Sequence, residues 1–498
     1  MGVSFSGIPS DLRVPLFYAE VDNSMANSGA TTLRRLIVGQ VNDGAVHEEI
    51  GRLVLVSRTS EAIAIGGAGS MLAAMHKRHR QVDSFGEVWC LPLKVETGTA
   101  ASGTVTVTGA ASEAGLLNLY IGGQRVRATV AKDADATAVA AALAAAINAA
   151  TDLPVTAAAA AGVVTLTAKF KGDLGNDIRL RMNRLGRAQG EQTPAGLTVA
   201  LVAMAGGVGS PDMAAALAAL GDEPFEFITQ PWTDTATLDA WKEVMNDSAG
   251  RWSWSKQIYG HVYTAKRGTL GELVTAGRLR NDQHMTLHGF EAGVPQPCWE
   301  VAASYAARTA VFISADVARP TQTGELVGIE PADPSDRFML TERQSLLQSG
   351  VATAYYEGGA YRIERAVTTY QKNAYGQADD SYLDSEPLHQ SAHVLRRLKA
   401  VITSKYGRHK LASDGTNIGD GGGIVTPKVI RGELVGTYRA LERDGIVENT
   451  ELFKQHLIVE RDPNNPNRLN VLFPPDLVNQ LRVFALLYQF RLQYPDAA

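Results

Sequence analysis

The strongest constraint on the fold of this chain is an alternation of short apolar runs with amphipathic segments. VWCLPL is a short continuous apolar run, typical of strands that are covered on both faces, and LRRLIVG is another predicted strand. Helix-like segments follow such runs after Ser70, over 235–246 and over 297–314. Alternation of this kind predicts a mainly parallel sheet with helices packed against it, so the expected class for this part of the chain is α/β.

The amino-acid composition between Gly98 and Val208 differs sharply from that of the rest of the chain. This segment is rich in Ala, Thr, Val and Gly and contains only two aromatic residues. Gly122 and Gly123 supply the positive φ of a two-residue hairpin turn, and a helix is predicted over 136–149. We expect a strand-rich module with one helix, inserted into a loop of the α/β core.

An inserted module must have its two ends close together in space. The ends at Gly98 and Val208 should therefore be neighbours, so that the core sheet continues from VWCLPL to PFEFITQP. Replacement of the module by a short Gly/Ser linker is then expected to leave the core folded.

Composition argues against several classes of partner. The chain has 498 residues, 47 basic and 52 acidic, so its net charge of −5 indicates neither nucleic acid nor an anionic membrane as a partner. Cys90 and Cys298 are the only cysteines and have no metal-ligand spacing, which fits a reducing compartment without disulfides. The N-terminus has no secretory signal pattern, and the longest small-apolar run is too short to span a bilayer, so no membrane insertion is expected.

The glycine-rich turns do not match a nucleotide-binding motif. GGAGS at 66–70 and GGVGSPD at 206–212 lack the GKS or GKT ending of a P-loop and do not fit GxGxxG. Ser70 and Ser210 are instead predicted to be helix N-caps, with Pro211 at the first helical position. We therefore predict no cofactor, no metal and no catalytic residues, and a protein that is not an enzyme.

A strongly basic amphipathic helix is predicted over 388–410. Apolar residues recur there at helical spacing, and no acidic residue lies between Glu386 and Asp414. His389 and His393 are one turn apart and could in principle share a metal, but this context argues against it. Two interpretations stay open: a solvated face, or a surface that docks onto an acidic partner because uncompensated positive charges repel one another. The charges concerned are Arg396, Arg397, Lys399, Lys405, Arg408 and Lys410.

The last part of the chain, NRLNVLFPPDLVNQLRVFALLYQFRL, is strongly apolar. The spacing over 481–492 predicts a strand that is apolar on both faces, whereas a helical spacing can also be read over 477–488. Both interpretations stay open for part of the segment. The strand interpretation puts Phe484, Leu486, Tyr488, Phe490 and Leu492 on one face, with Leu481 and Val483 on the other.

These stretches together closely resemble the tail sheath proteins of Mu-like contractile-tailed phages. The resemblance covers the chain from end to end, and its most specific parts are RIERAVTTYQ and the apolar C-terminal block. The other stretches that carry it are SGIPSDLRVPLFYAEVDNSMA, GGAGSMLAAMHKRHR followed by FGEVWCLPL, DRFMLTERQSLLQSGVATAYYEGGAYRIERAVTTYQ and RHKLASDGTNIGDGGGIVTPK. It implies a core similar to subtilisin-like α/β sheets that carries no protease site.

The resemblance and the change in amino-acid composition together predict an α/β and α+β multidomain fold with extended arms. The expected division is an N-terminal arm over 1–25, an α/β core over 26–97 plus 209–370, an inserted protruding domain over 98–208, an α+β C-terminal domain over 371–466 and a connecting arm over 467–498.

The function that the resemblance implies is mechanical. Such a chain is a structural virion protein that polymerises with itself as stacked, hexameric rings around a tail tube, and contraction drives the tube through the host envelope. The implied partners also include the tube, baseplate and tail terminator proteins, and the implied location is the phage tail, assembled in the host cytoplasm. Alternatives are the sheath of a tailocin or other non-viral injection device, and an α/β enzyme with a binding insertion, for which no catalytic constellation is found.

The resemblance also implies roles for particular segments. The terminal arms add strands to sheets of neighbouring subunits, and the N-terminal candidates are Val14, Leu16 and Tyr18. The basic helix is expected to face the tube, and the inserted module to lie on the outside of the tail. Truncation after Val478 is expected to leave a folded subunit of nearly unchanged thermal stability that no longer polymerises.

Overall fold

A computed structural model of the chain describes residues 33–416 and 422–493. The first apolar runs are strands, and β1 is buried along its whole length while β3 is buried at all but one position. This burial shows that both strands are covered on two faces. The elements up to the module are β1 (Arg35–Gln40), β2 (Val54–Leu55), α1 (Thr59–Gly66), α2 (Met71–Val82) and β3 (Val88–Leu93).

The segment between Gly98 and Val208 forms antiparallel sheets and the predicted helix. The hairpin turn is also confirmed, since Gly122 and Gly123 have φ values of 55° and 82°. Its strands pair in the orders β10-β4-β8-β7 and β6-β5-β9. The elements are β4 (Ala100–Gly109), β5 (Gly115–Ile121), β6 (Gln124–Val130), α3 (Ala136–Ala149), β7 (Val155–Ala160), β8 (Val163–Lys171), β9 (Leu180–Met182) and β10 (Leu197–Ala205).

The main sheet has the order β13-β12-β11-β1-β3-β2, in which neighbours are parallel except for the antiparallel edge strand β2. The predicted alternation of strands and helices is thus confirmed. The elements that follow the module are α4 (Met213–Ala218), β11 (Phe227–Thr229), α5 (Thr235–Met245), β12 (His261–Gly268), α6 (Leu270–Arg278), β13 (Met285–Glu291), α7 (Cys298–Ala315), α8 (Leu340–Leu347), β14 (Thr353–Glu357) and β15 (Ala360–Arg365).

The part of the chain after β15 is mainly helical and includes a small hairpin, which the segment 474–493 follows. Strands β18 and β19 pair with each other only, within the residues described. Across the described ranges, no helix is both long and apolar enough to cross a lipid bilayer. The elements are α9 (Glu386–Tyr406), β16 (Lys410–Leu411), β17 (Ile424–Val425), α10 (Pro427–Arg443), α11 (Thr450–His456), β18 (Ile458–Arg461) and β19 (Leu469–Leu472).

The two ends of the module meet, as an insertion requires. The Thr99 N–H donates to the Val208 carbonyl at 2.9 Å, and the Val208 N–H donates to the Thr99 carbonyl at 3.1 Å. Strands β3 and β11, on either side of the module in sequence, are not neighbours in the sheet but flank β1. The core sheet therefore continues across the insertion by way of its first strand.

Of the two predicted helix caps, one is confirmed and one is wrong. Ser70 caps α2, since its hydroxyl oxygen accepts from the Ala73 N–H at 3.2 Å. The later helix does not have Ser210 as its N-cap or Pro211 as its first residue. It begins at Met213, because the Asp212 carboxylate accepts from the Ala215 N–H and serves as the cap.

The module is seated on the carboxyl edge of the parallel strands. At the end of β1 the Gln40 side-chain amide donates to the Lys171 carbonyl at 2.6 Å, and the Asp43 N–H donates to the Lys169 carbonyl at 2.9 Å. Phe170 packs edge to face on Trp299 of α7, with ring centroids 5.7 Å apart. This edge is where open α/β sheets commonly bind ligands, and here it is in contact with the module.

Asp177 makes the central polar contact between module and core. Its carboxylate lies 2.6 Å from Arg267 Nε at the end of β12 and accepts from the Cys298 N–H at the start of α7, also at 2.6 Å. Both carboxylate and guanidinium are mostly buried. The expectation that a short linker could replace the module therefore needs revision, because its loss would leave the Arg267 guanidinium and the Trp299 ring without these partners.

We predict that Asp177→Ala lowers the free energy of unfolding by about 2–4 kcal/mol, because a mostly buried guanidinium loses its carboxylate partner and keeps only backbone carbonyl acceptors, and a helix N–H loses its acceptor. Denaturant unfolding of the monomeric chain measures the change. Asp222→Ala, which removes an exposed carboxylate, is the control and should change stability by less than about 0.5 kcal/mol. Equal effects of the two substitutions would contradict the contact as described.

Candidate functional site

The apolar C-terminal segment, 474–493, lies outside every helix and strand of the described structure. The helical alternative for this stretch is not observed, and the predicted strand pairs with none of the described strands. Phe484, Leu487 and Leu492 are 78, 91 and 95% exposed. The other large apolar residues of the segment with high exposure are Leu481, Val483, Leu486, Tyr488 and Phe490. A contiguous apolar surface of this kind marks an interaction site.

The part of the segment that precedes Val483 is in contact with the subunit. Leu477 forms a β-bridge with Val447, and the Gln390 side-chain amide donates to the Val478 carbonyl at 3.2 Å. Arg482 is mostly buried beside Glu386. Truncation after Val478 therefore removes more than an arm, and we revise the expectation of nearly unchanged thermal stability at that boundary because a buried carboxylate would lose its cation.

The N-terminal arm candidates belong to a part of the chain that the structure does not describe. Val14, Leu16 and Tyr18 lie outside the described residues. Their proposed role as strand donors stays a prediction.

Helix α9 forms where the basic amphipathic helix is predicted, and its two halves differ. The first half packs on the core through Leu388, Ala392 and Val394, which are at most 4% exposed. Beyond Leu395 no residue of the helix is fully buried. The helix thus begins inside the subunit and ends on its surface.

Two of the six basic residues assigned to this surface have acidic partners from elsewhere in the chain. Arg396 forms an ion pair with the buried carboxylate of Glu226, and Lys405 Nζ lies 2.7 Å from Glu433 Oε1. The description of all six charges as uncompensated is therefore wrong, because the acids are remote in sequence but close in space. The four exposed basic residues that have no ion pair with a described residue are Arg397, Lys399, Arg408 and Lys410.

Glu226 is the centre of a buried polar network. Its carboxylate is held by Arg396 and by His389 Nδ1 at 2.5 Å, while His389 Nε2 lies 2.8 Å from the Tyr263 hydroxyl oxygen. Burial alone would raise the pKa of Glu226, but the Arg396 charge and the His389 hydrogen bond outweigh burial and lower the pKa from 4.5 to about 2. The network fixes α9 on the main sheet.

The two histidines of α9 have separate surroundings. His389 belongs to the Glu226 network, whereas His393 is partly buried and its pKa is lowered by burial and by the neighbouring Arg396 and Arg397 charges. Within the described residues, no cluster of His, Cys, Asp and Glu has the geometry to hold a metal ion. Cys90 and Cys298 are buried.

Sequence reasoning did not single out Glu226 or Arg482. Each is a lone charged residue within an apolar stretch, PFEFITQP and NQLRVFALL, and that pattern is the only local signal. A charge in such a setting requires a partner when it is buried. The identity of the partner is not readable locally, since Glu226 and Arg396 are 170 positions apart.

Comparison with known families gives three consecutive matches. Residues 96–199 match the phage tail sheath protein beta-sandwich domain, and residues 206–369 match the phage tail sheath protein central domain. Residues 377–491 match the phage tail sheath C-terminal domain. The matches include most of the module, strands β11 to β13 of the main sheet, α9 and the exposed apolar segment as far as residue 491.

Full-length relatives agree with these matches. The chain is 41% identical over 495 residues to the Mu-like prophage FluMu tail sheath protein of Haemophilus influenzae, which covers 99% of this chain and 100% of the relative. Among solved structures, the sheath tail protein from Desulfitobacterium hafniense is similar in fold, with a TM-score of 0.51 at 13% identity. That similarity covers 94% of this chain and 97% of the other.

The Glu226 network predicts a specific loss of stability in acid. Because the folded pKa of about 2 lies below the unfolded value of 4.5, the contribution of Glu226 is fully present above pH 4.5 and is lost as the pH falls towards 2. We expect Glu226→Gln to lower the free energy of unfolding by about 3 kcal/mol at pH 7, with the difference from the unchanged chain shrinking below pH 4.5.

Denaturant unfolding between pH 2 and pH 7 measures this difference. The matched control is Glu433→Gln, which removes the acidic partner of the more exposed Lys405 and should cost less than about 1 kcal/mol. A difference for Glu226→Gln that stays constant from pH 7 to pH 2 would show that the carboxylate charge is not what stabilises the network.

Proposed function

This chain belongs to the phage tail sheath family, and from that premise we propose that it is the structural subunit of a contractile phage tail. The subunit polymerises with itself around a tail tube, and contraction of the polymer drives the tube into the host. The observation that carries the proposal is the apolar stretch over 483–493, which is exposed on both faces and pairs with none of the described strands.

A strand of this kind suits addition to a sheet of a neighbouring subunit. Backbone hydrogen bonds then join the subunits, and alternate side chains such as Phe484 and Leu486 fill pockets on either face. Burying one large apolar side chain is worth about 1.5–3 kcal/mol before ordering costs. A connection made by several of them persists while the subunit bodies move relative to one another.

The contact with the tube has the opposite requirement, because it must break on contraction. Exposed ion pairs contribute only about 0–1 kcal/mol each. Many such pairs together can bind the sheath to the tube, but each pair breaks easily. Arg397, Lys399, Arg408 and Lys410 are exposed and have no acidic partner among the described residues. These four side chains, and not Arg396, form the tube-facing surface in our proposal, with Lys405 contributing through a charge that is already partly compensated by Glu433.

The arrangement of the polymer follows from the family. We propose stacked hexameric rings that end at a baseplate protein and a tail terminator protein, assembled in the host cytoplasm and retained in the virion tail. The work of contraction comes from the difference in packing between an extended and a contracted lattice. The role is mechanical, and no catalytic residue is assigned.

The internal division proposed for the subunit is the one expected from the sequence. It has a core over 26–97 plus 209–370, a protruding domain over 98–208 and a C-terminal domain over 371–466, with arms at both ends. The close approach of Thr99 and Val208 supports the inserted domain. The parallel order β12-β11-β1-β3 is compatible with the proposed relation to subtilisin-like sheets, and the module is proposed to face the outside of the tail.

We predict that truncation after Val483 gives a soluble subunit that no longer polymerises, because Arg482 and its contacts are retained while the exposed strand is lost. The melting temperature should stay within about 1 °C of that of the full chain, since the deleted side chains are exposed. Truncation after Val478 is the matched comparison and should melt several degrees lower. Polymer formation by the chain that ends at Val483 would overturn the assignment of the arm.

We also predict that reversing charge at Arg397, Lys399 and Arg408 to Glu weakens assembly on the tube without unfolding the subunit. The charges are exposed, so the substitutions replace attraction by repulsion at an acidic tube surface and leave the core intact. Co-sedimentation with purified tubes at low and high salt measures the effect. Arg127→Glu with Lys132→Glu, exposed on the module, is the control, and equal loss of binding in both variants would exclude α9 as the contact.

A further inference from the structure

The C-terminal segment changes character at a single residue. The Arg482 side chain is 11% exposed, and its guanidinium lies 3.1 Å from Glu386 Oε2 and 3.7 Å from Asp384 Oδ1. Every residue that follows, over 483–493, is exposed. We call 478–482 the root and 483–493 the distal arm.

Two glutamines of the subunit body bind the backbone of the root, and a glutamine side chain of the root binds the body in return. Gln390 of α9 donates to the Val478 carbonyl at 3.2 Å, and Gln322 donates to the Leu481 carbonyl at 3.1 Å. Gln480 of the root donates to the Ala318 carbonyl at 3.1 Å. The root is therefore fastened both to the start of α9 and to the loop that follows α7.

The acidic pocket that receives Arg482 is built in advance by other residues. Thr321 donates to Glu386 Oε1 through its N–H at 3.0 Å and its hydroxyl at 2.7 Å. Arg365 binds both oxygens of Asp384, at 2.8 and 2.9 Å. Glu386 is fully buried. Undocking of Arg482 would leave Glu386 Oε2 without a cation, which costs free energy in the protein interior.

We propose that Arg482 is a positioning residue that keeps the root docked on its own subunit, so that the distal arm pivots between Arg482 and Val483. The proposal rests on the proposed sheath function and adds the position at which the distal arm begins to move independently of the subunit. The root and the subunit body form one rigid unit in every state of the polymer. Only the distal arm changes direction when neighbouring subunits slide and rotate.

The first test measures local undocking of the root by hydrogen exchange in the full-length, unpolymerised chain. Arg482→Gln should speed exchange of the Val478 amide, which donates to the Ile446 carbonyl at 3.2 Å, by about 100-fold, while the main sheet keeps its protection, because the opening of the root no longer has to break the buried pair. Arg482→Lys should restore part of the protection. Lys132→Gln, on the exposed surface of the module, is the control and should change nothing at the root.

A uniform rise in exchange across the whole chain would overturn the proposal, because Arg482 would then be a general stabilising residue. Unchanged exchange at the root would overturn it as well, because the ion pair would then not hold the root.

The second test locks the root in assembled tails. Gln322→Cys and Leu481→Cys are introduced together and joined by a short bifunctional maleimide, while the native Cys90 and Cys298 are buried and protected from the reagent. If the root stays docked, tails with the lock assemble and contract on mild denaturant treatment as the unmodified tails do. Tails that assemble but fail to contract only when locked would show that the root must release, and would overturn the proposal.

The outcome also separates this proposal from the proposed function. If the unmodified chain forms no tubular polymer, the sheath function itself fails and the lock is irrelevant to that result. If unmodified polymers form and the locked subunit cannot join them, the sheath function stands and the fixed root is wrong.

Discussion

The buried carboxylate of Glu226 holds α9 on the main sheet, and much of the functional surface depends on that placement. Two residues of α9, His389 and Arg396, converge on this one carboxylate, and Tyr263 of β12 completes the network. Breaking a buried pair of this kind costs about 3–5 kcal/mol, so the helix has one position in the folded chain. Because its first half is fixed, its second half is presented to solvent at a defined site.

The start of α9 also determines where the C-terminal segment leaves the subunit. Glu386, at the first turn of the helix, is fully buried and faces Arg482. The surface proposed to contact the tube and the proposed pivot of the arm are therefore two ends of one element. In this molecule, mostly buried ion pairs join parts that stay together, while exposed charges and an exposed apolar segment are found where contacts are proposed to form and break.

Local features of the fold were predictable from the sequence because their causes are local. The hairpin at Gly122 and Gly123, the helix over 136–149 and the parallel order implied by alternating elements all depend on patterns within a few residues. The cap assigned to Ser210 was wrong because a nearby Asp212 competes for the same helix N–H groups. The truncation boundary at Val478 needed revision because apolar spacing says nothing about the contacts of one arginine.

The sequence by itself determined that the chain has an α/β core, a strand-rich insertion, a basic helix and an apolar end, since each follows from periodicity or composition. Only the tertiary structure decided which charges of the helix are free, how the insertion is seated on the sheet edge and where the arm begins. The physical reason is that a buried charge is stabilised by whatever partner lies within a few ångströms. Glu226 with Arg396, Asp177 with Arg267 and Glu386 with Arg482 are far apart in sequence and meet only after the chain has folded.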